Sequence, residues 1–121
     1  MVTRIEPLHF YQSIAGEDAF PKPYRDAALI RQTALQFDQL QPQEVISRLQ
    51  PLAKPGEPWF GTAGEMTALA LIKQNKKQEA GQLFFAIAKD SGVPQAIRAR
   101  AVQVAGSLGV DASSALPPQA L

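Results

Sequence analysis

Three observations predict an all-α fold of about three stacked helix pairs for this 121-residue chain. Apolar residues recur at helical spacing, a two-helix segment recurs along the chain, and prolines and turn-forming residues punctuate both at matching intervals. Val45, Leu49 and Leu52 form an i, i+4, i+7 stripe, as do Ala80, Phe84 and Ile87. Such a stripe is one face of a helix with 3.6 residues per turn. Strand-type alternation is sustained nowhere.

The recurrence is carried by three segments, each an aliphatic-Ala pair, a polar turn and a proline. They are Ile14-Ala15 through Pro21, Leu52-Ala53 through Pro58, and Ile87-Ala88 through Pro94, spaced by 38 and then 35 residues. That is the length of a two-helix repeat. Gln43-Glu44-Val45 and Gln78-Glu79-Ala80 repeat in a second register, 35 residues apart.

Taken in order, the elements are helices near 7–15, 23–38, 42–53, 59–74, 77–90 and 94–109. Pro23, Pro42 and Pro94 sit where a first-turn proline is tolerated, because those amides have no helical acceptor. Pro51 falls inside the third helix, so its last turn should loosen. Pro55-Gly56-Glu57-Pro58 is a firm break. Asn75 is placed to close the fourth helix in the left-handed conformation. Residues 1–110 read as one helical repeat domain, and 111–121, with Ser113, Ser114, Pro117 and Pro118, as a disordered tail.

Composition narrows the function. Hydrophobic residues make up 45% and the formal net charge is +1, which gives no footing for nucleic acid. Residues 1–65 carry −2 and residues 66–121 carry +3, so a mild polarity runs along the chain. Arg98, Arg100, Lys73, Lys76, Lys77 and Lys89 could form a basic face there. No stretch approaches the roughly 20 apolar residues of a membrane span.

The pair at 59–90 resembles a tetratricopeptide repeat. Ala80 and Phe84 match the small and aromatic positions of its second helix, Ala68 and Leu71 the small and large positions of its first, and Asn75 its turn. In the pair 23–53 the small site is Thr33, and in the helix 94–109 it is Gly106. Small residues let two helices approach closely while a bulky neighbour fills the adjoining space. The segments Pro23–Gln32, Pro58–Gly61 and Gly81–Asp90 are similar to a bacterial family of tetratricopeptide-like inner-membrane proteins, one of which is the ancillary subunit of the SecYEG translocon. The resemblance covers about residues 8–111. It implies a right-handed α-α superhelix on the periplasmic face of the inner membrane, tethered by an N-terminal anchor and engaged in the handover of secreted proteins. This chain shows no such anchor, so by itself it is expected to be soluble.

Residues capable of chemistry are few. His9 is the one histidine and cysteine is absent, so a conventional zinc site lacks ligands, and no spacing links His9 to a particular serine as its base. The expectation is a non-enzyme with no metal or cofactor. Gly61-Thr62-Ala63-Gly64 lies within a helical pattern and suits close packing rather than phosphate contact. Trp59-Phe60 reads as core, with Tyr24 and Ile97 in the equivalent places; if one ring is exposed, Phe60 is the expected anchor.

In such a stack the first helix of each pair lines the concave side. The register places Ala27, Ile30, Ala34 and Phe37 there, together with Thr62, Glu65, Leu69 and Lys73. Glu65 and Leu69 stand where some tetratricopeptide domains clamp a C-terminal carboxylate, so the expected ligand is an apolar or helical segment of another protein. Two alternatives stay open: homo-oligomerisation, and a cytosolic scaffold unconnected with secretion.

Overall fold

Among the described residues six α-helices succeed one another: α1 Pro7–Ala15, α2 Lys22–Gln36, α3 Pro42–Leu49, α4 Phe60–Lys73, α5 Lys77–Lys89 and α6 Gln95–Ser107, then a 3₁₀ turn, Ser113–Ala115. They are seen in a computed structural model that describes residues 7–17 and 19–116. No strand occurs among the described residues, so the fold is all-α. No helix among them is long and apolar enough to cross a membrane. The chain divides into two compact units, Met1–Gln41 and Pro42–Leu121. The boundary separates α2 from α3, which the repeat pattern pairs with each other. Instead α2 packs on α1, and α3 on α4.

In the first unit α1 buries no side chain, and α2 buries Ala28, Ile30 and Thr33. The Thr33 hydroxyl donates to the Leu29 carbonyl at 2.8 Å, which satisfies a polar group that burial would otherwise penalise. Pro21 and Pro23 frame the start of α2.

The second unit begins with the stripe visible in the sequence: Val45, Leu49 and Leu52 are all buried. α3 stops at Leu49, four residues short of the expected end. Pro51 has no amide to continue the ladder, although Leu52 and Ala53 still donate to the Leu49 carbonyl at 2.9 Å.

α4, α5 and α6 pack in sequence around one core. Phe60, Phe84 and Ile87 fill it, and Ala68, Ala80, Ala88, Ala101 and Ala105 let the helices close around them. Approach is closest at glycine. A Cβ on Gly61 would lie 2.8 Å from Val93 Cγ1, and one on Gly64 would lie 2.9 Å from Ile87 Cδ1. Gly61 and Gly64 are therefore packing residues, as their helical context suggests.

Two helix ends are closed the same way. Asn75 adopts φ 63°, its amide donates to the Ile72 carbonyl at 2.8 Å, and Lys76 N–H reaches the Leu71 carbonyl at 2.9 Å. Gly109 adopts φ 88°, with Val110 N–H on the Ala105 carbonyl at 2.8 Å. Both are left-handed terminal caps that satisfy carbonyls the helix leaves open.

The second cap turns the chain back, and it reshapes the expected tail. Val110 comes to rest on Gly81, where a Cβ would meet Val110 Cγ2 at 2.6 Å. Ala112 is buried in the core. Arg98 anchors the 3₁₀ turn, donating from Nε to the Ala88 carbonyl at 2.8 Å and from Nη2 to the Ala115 carbonyl at 3.3 Å. Residues 111–116 are thus structured, while 117–121 lie outside the described residues.

Candidate protein-binding surface

α4 is buried along one side. Phe60, Gly61, Ala63, Gly64, Thr67, Ala68 and Ala70 face neighbours, and Thr67 Oγ1 donates to the Ala63 carbonyl at 2.8 Å. At 100° per residue, the remaining face carries Thr62, Glu65, Met66, Leu69 and Lys73. Thr62, Glu65 and Met66 are half-buried, and Leu69 is 40% exposed. Leu69 is the large apolar side chain that this face presents to solvent.

Glu65 is not a bare groove carboxylate. Its two oxygens accept from Arg100 Nε and Nη2 of α6, each at 3.1 Å. Hydrogen bonding to Glu65, and then its charge, raise the Arg100 pKa above the ordinary arginine value. The fork geometry of this pair fixes orientation as well as charge. The pair sits at the surface, where solvent screening keeps such interactions small. Glu65→Ala and Arg100→Ala are each expected to lower the melting temperature by less than about 5 °C. The double variant should lose no more than either single one, and high salt should shrink the effect. Calorimetry of the four proteins at two salt concentrations checks this.

Other expected members of the site are placed differently. Ile30 is 4% exposed and cannot line a ligand groove. Phe60, at 1%, is core, so it is not a binding anchor; its neighbour Trp59 is the half-exposed ring. Tyr24, expected to be the core equivalent of Trp59, is 66% exposed. Ala34 is exposed and Phe37 half-buried. Gly106, expected at a close crossing, has open space where its Cβ would stand. Of the six residues expected to form a basic face, Arg98 is committed to backbone carbonyls and Arg100 is paired with Glu65.

The first unit holds a feature that the repeat pattern does not predict. Among the described residues, Phe10, Phe20, Tyr24 and Leu35 are also exposed large apolar side chains, at 50%, 40%, 66% and 52%. The clustering of aromatics at 10, 11, 20 and 24 is visible in the sequence, but the repeat register assigns Tyr24 to the core.

Among the described residues no three His, Cys, Asp or Glu side chains gather where they could hold a metal ion. Comparison with protein-family models, with curated proteins and with solved structures gives no match.

Proposed function

We propose that this chain is a protein-binding module of the tetratricopeptide type, without enzymatic activity, which holds an apolar segment of a partner against the open face of α4. The observation that carries the reading is that face itself. The opposite side of α4 is packed, and on this side Leu69 projects into solvent beside half-buried Thr62, Glu65 and Met66. The arrangement of α4, α5 and α6, closing on Ala68, Ala80 and Phe84, supports the tetratricopeptide comparison. A setting at the periplasmic face of a bacterial inner membrane rests on the resemblance of Pro23–Gln32, Pro58–Gly61 and Gly81–Asp90 alone.

A photo-crosslinker at Leu69 in intact cells is expected to trap a partner, and one at Gln78, exposed on α5, is not. With the crosslinker at Met66, Leu69→Asp should abolish capture while the helical spectrum is retained. Equal capture from positions 69 and 78, or capture of a second copy alone, overturns the reading. The adducts also test the setting, which fails if they are confined to cytosolic proteins.

A further inference from the structure

The first unit contains a cavity of about 370 Å³ between α1 and the start of α2. Tyr11, Ile14, Phe20 and Tyr24 wall it, Ala28 lies at its base, and Arg31 borders it. This is the size and make-up of a pocket for one bulky apolar group. The rings around it are poorly covered, since α1 buries no side chain and Phe20 and Tyr24 stand well into solvent.

Charge decides what the pocket suits. Among the described residues Arg31 is the charged residue of its lining and has no hydrogen-bond or ion-pair partner. The carboxylate of Asp26, five residues earlier on α2, is paired with Lys22. Arg25 donates from Nε to the Phe20 carbonyl at 3.0 Å, which holds the Phe20 backbone at the rim. A planar guanidinium beside aromatic walls matches a carboxylate held next to an apolar side chain.

We infer that this pocket docks a segment of a partner protein in which a bulky apolar residue adjoins a carboxylate. The apolar side chain enters between Tyr11, Phe20 and Tyr24, and the carboxylate pairs with Arg31. The site is independent of α4 and stands or falls separately from capture at Leu69.

The test is a nuclear magnetic resonance titration of the full chain with two probes, the blocked tetrapeptides acetyl-Asp-Leu-Phe-Asp-amide and acetyl-Asn-Leu-Phe-Asn-amide. The acidic peptide is expected to shift the amides of residues 11–31 and the Arg31 side-chain Nε–H. It should bind about two- to fivefold more tightly than the neutral one, the worth of one exposed charge pair. Arg31→Gln should remove that difference and Arg31→Lys retain part of it. Ala27→Phe, which fills the cavity from a half-buried position, should abolish both interactions. Equal binding of the two peptides, shifts that map elsewhere, or no saturable binding would each overturn the inference. So would concentration-dependent shifts in the peptide-free chain, which mean that a second copy fills the pocket. Contacts from residues 1–6 to Tyr24 in the free protein would overturn it too, the chain then being its own occupant.

Discussion

Replacing Phe84 by alanine is expected to lower the unfolding free energy of the second unit by about 3–5 kcal/mol. Phe84 is 1% exposed and belongs to the core shared by α4, α5 and α6. Truncation removes the transfer free energy of the ring and leaves a cavity. The surrounding alanines cannot fill it, because they have no longer rotamers to swing into the space. Small domains are stable by only about 5–15 kcal/mol, so the loss is a large share of the total. Urea unfolding followed by the fluorescence of Trp59, the one tryptophan, reads this unit directly. Phe85→Ala is the control. Its ring is half-buried, with the Lys89 ammonium 5.6 Å from its centre, and its removal should cost clearly less. Equal losses at 84 and 85 would mean that α5 is rotated about its axis relative to the core.

Gly81→Leu is the second large effect, about 1–3 kcal/mol destabilising. Exchanging glycine for leucine inside a helix is by itself favourable by up to about 1 kcal/mol. A net loss must therefore come from contact, and the contact is specific: Val110 Cγ2 lies 2.6 Å from where the new Cβ would stand. Combining Gly81→Leu with Val110→Ala should restore much of the stability, so the cycle of single and double variants should show strong non-additivity. A simple sum of the two single effects would show that Val110 does not rest on this helix.

Periodicity and helix punctuation made much of the fold legible. Pro23, Pro42 and Pro94 mark helix starts within a residue or two, and Asn75 takes the left-handed conformation expected of it. The stripes through Leu49 and Phe84 are buried throughout. Periodicity tells which residues share a face, but not how completely that face is covered. Ile30 and Leu69 share the expected concave side, yet one is 4% and the other 40% exposed. Trp59 and Phe60 are adjacent, so a small rotation decides which ring enters the core, and composition cannot fix that angle. Glu65 and Arg100 are 35 positions apart, a separation at which nothing in the chain announces a pair. Ala112 stands among polar residues with no stripe to join, so its seat in the core has no local signal. The first-unit cavity depends on how α1 and α2 cross, and no pattern of residues states a crossing.

In the second unit every helix packs on its chain neighbour: α3 on α4, α4 on α5, α5 on α6. Assembly therefore closes mostly short loops, and the entropy cost of loop closure grows with loop length. Chains with contacts this local fold in microseconds to milliseconds. The α4–α5 hairpin, with its own Schellman-type stop at Asn75, can form before α6 has left the ribosome. The return of Val110 to Gly81 and of Ala112 to the core comes last, since it requires α6 to be seated. That closing segment secures an assembled unit and does little to guide its formation. Weakening it should therefore quicken unfolding while leaving the folding rate almost untouched.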